Sequence, residues 1–133
     1  MPSPAAIGSF FAEFSRFEAQ SLRQALSSLS KDSVFVDRAE TLLELEARLT
    51  LLQRMAAVRG VPPSVMQELN TVLKRARKLG AQREAVAARL RAPASPLSPI
   101  AKLEDLAAEA VELQAALGAI TQQFETRPAA GAA

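Results

Sequence analysis

Between residues 65 and 90, Val65, Leu69, Val72, Ala76, Leu79, Arg83, Val86 and Leu90 follow one another in steps of four and three. Only a helix keeps such a series on one face, so the segment is expected to lie against another helix. A second seam of the same kind runs through Leu103, Leu106, Ala110, Leu113, Leu117, Ile120 and Phe124. A chain that places its apolar residues this way buries them by packing helix on helix. Its apolar fraction is built mainly from Ala, Leu and Val, with few aromatics, which favours helix over sheet.

Punctuation divides the chain into four helical segments. The first runs over about 4–29, starting at Pro4 or Ser9, with Ile7, Phe10, Phe14, Phe17, Leu22, Ala25, Leu26 and Leu29 on one face. The second runs over about 34–58, capped by Asp32 or Ser33. Its stripe is broad: Phe35, Ala39, Leu42, Leu43, Leu45, Leu49, Leu52, Met55 and Ala56. That width suggests more than one neighbour. Gly60 suits a left-handed C-cap, and Pro62 and Pro63 block continuation. The third, about 64–91, opens on Ser64 with Gln67 three residues later, the pattern of a capping box. Prolines 93 and 96 break the connection to the fourth, about 99–126, which Ser98-Pro99 would open. Residues 1–127 read as one domain and 128–133 as a disordered tail. The expected fold is all-α: an antiparallel four-helix bundle, or paired helical hairpins completed by dimerisation, with coiled-coil-like packing.

Residue types exclude much chemistry. The chain has no Cys, His, Trp or Tyr. Disulfides, thiolate nucleophiles and zinc–sulfur sites are ruled out, and the commonest acid–base group and metal ligand is missing. Acidic stripes at Asp37, Glu40 and Glu44, and at Asp105, Glu109 and Glu112, have helical spacing. The carboxylate-bridged metal sites of bundles also draw on histidine, so these stripes read as solvated faces or ion-pair partners. No glycine-rich phosphate loop, Ser–Lys motif or calcium loop is present. The expectation is no enzyme, no cofactor and no metal.

No stretch of about 18 apolar residues occurs, and Met-Pro-Ser-Pro-Ala-Ala-Ile-Gly-Ser has neither the basic nor the apolar part of a secretory leader. A cytoplasmic protein is the default expectation. Arg greatly outnumbers Lys, a bias of GC-rich, typically bacterial, genomes.

Charge is distributed unevenly. Residues 62–98 carry seven bases against two acids, and residues 99–133 two bases against five acids. Intramolecular pairing of the third and fourth helices is expected. Lys74, Arg75, Arg77 and Lys78 form a basic cluster off the seam, a candidate patch for an acidic partner or nucleic acid. No aromatic interleaves with it, so base stacking lacks support. Arg83 falls on a core position of the seam. It needs an acid or a route to water, and in a hairpin folded near Pro96 it would face Glu109 and Glu112 as a register pin.

Four of the six phenylalanines lie at Phe10, Phe11, Phe14 and Phe17. They would fill one end of the core, or else form a docking helix for a partner groove or lipid surface. Leu51 and Met66 sit beside the main seams and widen the second and third helices toward a partner. The functional expectation is a non-enzymatic helical protein-interaction module: an adaptor, assembly factor or small chaperone, binding a protein partner or itself. Two alternatives are a coat protein adsorbing to lipid or polymer, and a nucleic-acid-associated bundle using the basic third helix.

Overall fold

The structure, a computed structural model, describes residues 4–91 and 103–126. The proline-broken link, the Ser98-Pro99 start and the 128–133 tail lie outside them. Of the described residues 93% are helical and none is in a strand, so the chain is all-α. The elements are α1 (Pro4–Arg16), a π-helical segment (Phe17–Leu22), α2 (Arg23–Leu29), α3 (Ser33–Leu42), α4 (Leu45–Arg59), α5 (Pro63–Arg91) and α6 (Leu103–Thr126). The first three form one unbroken helical run, since Arg16, Leu22 and Arg23 all keep right-handed helical dihedrals.

The π segment has a cause in the sequence. The buried residues step 10, 14, 17, then 22, 25, 26. A step of five in an α-helix lands about 140° off the stripe. Widening one turn lets Phe17 and Leu22 both face inward, with Ser21 buried between them.

The expected helix over 34–58 is two helices. Leu43 and Glu44 are extended, with φ/ψ of −100/138° and −73/168°. Val36 and Ala39 are the buried positions of α3, and Leu49, Leu52 and Ala56 the buried apolar positions of α4. In one continuous helix those two sets would lie about 140° apart. The broad stripe is thus two narrow stripes out of phase, and the chain breaks to turn both inward. Phe35 and Leu42, expected on the buried face, are exposed as a result.

Caps follow the residue chemistry. Asp32 accepts from the N–H groups of Val34 and Phe35 at 3.0 and 3.1 Å. Gly60 ends α4 in the left-handed region, φ 79°, and Val61 N–H donates to the Ala56 carbonyl at 3.2 Å. α5 starts two residues earlier than the Ser64 box implies, since the box makes Ser64 the N-cap. Pro63 is its first residue, and Met66 N–H donates to the Pro62 carbonyl at 2.9 Å.

α6 packs along α1, the π segment and α2, and also against α5; α5 packs on α4, and α4 reaches α2. Every member of the α6 seam is buried. So are Val65, Leu69, Val72, Ala76, Leu79 and Val86 of the α5 seam, while Leu90 is exposed. α3 rests on α2.

Candidate functional site

The most enclosed ion pair among the described residues lies where the π segment, α4 and α5 meet. Glu18, in the π segment, accepts from Arg48 Nη2 through Oε2 and from Arg83 Nη1 through Oε1, each at 2.6 Å. The Arg48 side chain is only 10% exposed and that of Glu18 16%. Arg83 is more open. It also donates to Glu84 at 3.2 Å and holds its guanidinium carbon 4.9 Å from the Phe14 ring centre. Among the described residues the buried Nε of Arg48 has no hydrogen-bond acceptor. These three residues, with Glu44, Leu45, Glu46, Arg77, Gly80, Ala81 and Glu84, line a recess of about 490 Å³. Gly80 is there because space is short: a Cβ would stand 2.8 Å from Leu45 Cδ2.

The candidate residues named from the sequence are dispersed. Phe10, Phe14 and Phe17 are fully buried and belong to the core, packed ring against ring with centres 6.1–6.3 Å apart. They offer no docking surface in this fold. Phe11, Leu51 and Met66 are half-buried against that core. The basic cluster divides. Arg75 pairs with Glu109 at 2.6 Å and Glu112 at 2.9 Å, and Arg77 pairs with Glu46 at 2.8 Å. Lys74 and Lys78 are exposed. Arg83, expected to face Glu109 and Glu112 as a register pin, meets neither. Arg75 holds both, because it sits two turns nearer to them along α5, and Arg83 turns to Glu18 instead.

The acidic stripes find arginines. Asp37 and Glu40 of α3 both accept from Arg23 of α2. Asp37 first, then Glu40, raises the Arg23 guanidinium above its ordinary value. Among the described residues no group of three or more carboxylates could hold a metal ion, and no helix is long and apolar enough to cross a membrane.

Arg48 carried a signal that the sequence reading passed over. It stands three after Leu45 and four before Leu52, on the inward stripe of α4. Glu18 carried none, since its position depends on the π turn. No family model, curated protein or solved structure matches this chain.

Proposed function

We propose that this chain is a non-enzymatic helical interaction module, an adaptor, assembly factor or small chaperone, that meets a protein partner or a second copy of itself through α3. The observation that carries this reading is the outward face of α3. Val34, Phe35 and Leu42 are 59%, 40% and 71% exposed there and fall within an arc of about 100° around Arg38. Three large apolar side chains grouped on one short helix are unlike the scattered exposed leucines of ordinary surfaces.

Residues 1–127 are proposed to act as one helical bundle that displays this helix. Antiparallel order of α4 and α5 is supported by the contacts Glu46–Arg77 and Gln53–Asn70. The contacts Glu109–Arg75 and Gln123–Glu68 support it for α5 and α6. In both pairs the numbers rise on one helix as they fall on the other. The basic cluster speaks less for nucleic acid, since two of its four cations already hold carboxylates of the same chain.

A photo-reactive residue at position 42, in cells that make the protein, tests the reading. A discrete adduct, to a second copy or to another protein, is expected from position 42 and not from the exposed Gln67 of α5. Equal labelling at both positions, or no adduct at 34, 35 or 42, would overturn it.

A further inference from the structure

Between residues 31 and 42 the acids are engaged inside the fold and the bases are not. Asp32 accepts from the first N–H groups of α3, at Val34 and Phe35. Asp37 and Glu40 are both held by Arg23 of α2. Glu44, the next acid along the chain, lines the recess beside Arg48. Lys31 and Arg38 are exposed, and among the described residues neither meets a carboxylate. Arg38 has no acid within reach on its own helix, since the residues three and four away are Val34, Phe35, Thr41 and Leu42. It stands as an isolated cation in the middle of three exposed apolar side chains.

That placement selects among occupants. A second copy docked α3 on α3 about a two-fold axis would set Arg38 against its own mate, and like charges pressed together oppose the contact. Helices that lie in a lipid surface carry their bases on the polar face and keep the apolar face clear of them, whereas here the base is central. A single carboxylate set among apolar residues fits this face. The apolar contacts shut water out around the arginine, and the ion pair strengthens as water leaves. Resting on the reading of α3 as the docking face, we infer that its occupant is an amphipathic helix of another protein that carries a carboxylate within its apolar stripe. The carboxylate meets Arg38, and apolar residues at three- and four-residue spacing lie on Val34, Phe35 and Leu42. The patch from Val34 to Leu42 is about 12 Å long, so about two to three turns of partner helix cover it. Lys31, just before α3, adds a second positive charge at one end of the patch and favours further acids there.

The full chain with the photo-reactive residue at position 42 is made in cells with Arg38 kept, with Arg38→Gln and with Arg38→Glu, and mass spectrometry maps the segment to which it links. The expected segment belongs to another protein and carries a carboxylate within an apolar stripe of helical spacing. Adduct yield should fall about fivefold or more in Arg38→Glu, and less in Arg38→Gln. Arg38 is exposed and unpaired among the described residues, so both variants should keep the wild-type helical circular dichroism. The purified chain is also sedimented with vesicles of equimolar phosphatidylcholine and phosphatidylserine, and should stay in the supernatant. An adduct to a second copy, a linked segment without a carboxylate, or an undiminished yield in folded Arg38→Glu would each overturn the inference and leave α3 as the docking face. Sedimentation with the vesicles that Arg38→Glu abolishes would replace the partner helix by a lipid surface. Absence of any discrete adduct from position 42 would overturn the reading of α3 along with the inference.

Discussion

Glu18 of the π segment and Arg83 of α5 are 65 residues apart in sequence and 2.6 Å apart in the structure. The pair joins the first helical run to the middle of the chain. It shares its carboxylate with Arg48, which is the more buried of the two arginines. That asymmetry sets the consequences of mutation.

Glu18→Gln leaves two guanidinium groups without their carboxylate, one of them nine-tenths buried. Removing one partner of a buried pair costs about 3 kcal/mol or more. Arg83→Gln leaves Glu18 still paired with Arg48, and Gln can cap the same region, so a loss of about 1 kcal/mol is expected. Urea unfolding of the two variants measures the order. Equal losses, or a greater loss for Arg83→Gln, would mean that the Arg48 environment is more open than described.

Two glycines of the long helices give opposite expectations. Gly118 has nothing within 4 Å of an added Cβ, so Gly118→Ala should gain about 0.5–1 kcal/mol from helix propensity alone. At Gly80 the added methyl meets Leu45 Cδ2 at 2.8 Å. Leu45 must rotate toward the recess, and that repacking offsets the same helix gain. Thermal melts should rise for Gly118→Ala and not for Gly80→Ala.

The phenylalanine cluster separates by burial. Phe14 is fully enclosed and supports Arg83 on its ring, so Phe14→Ala should cost about 3–5 kcal/mol. Phe11 is half-buried, and Phe11→Ala should cost about 1 kcal/mol. Similar small losses at both positions, measured by denaturant unfolding, would restore the cluster as a surface.

What the sequence disclosed, and what it hid, follow from the kind of information each feature needs. The α5 and α6 seams were readable because steps of three and four point inward whatever the partner. The Asp32 and Gly60 caps were readable because each depends on a few neighbouring residues. The break at Leu43–Glu44 was not, though its cause is in the sequence. Two stripes out of phase look like one wide stripe until the direction of the core is known. The partner of Arg83 was hidden for another reason. Opposing an arginine to Glu109 and Glu112 required the stagger of α5 on α6, and a stagger of two turns hands those acids to Arg75. Glu18 was hidden most deeply, since it reaches Arg48 only after a π turn has shifted the helix.

Attachment of α3 depends on a small apolar contact and on Arg23. Val36 and Ala39 face inward, and Arg23 ties Asp37 and Glu40 from α2. The acids raise the Arg23 guanidinium above its ordinary value. A base raised on folding gives stabilisation that is complete below its unfolded pKa and is lost only as pH climbs through the folded one. Between neutral pH and about pH 10, Arg23 should therefore hold α3 equally well. The pairs are partly exposed, so salt should weaken them. In hydrogen exchange corrected for its intrinsic pH dependence, α3 should open more readily in high salt, while α6 should be unaffected. Arg23→Gln should show that faster opening at low salt, with little further response to added salt. If α3 exchanges alike in wild type and Arg23→Gln at low salt, Val36 and Ala39 alone hold it in place.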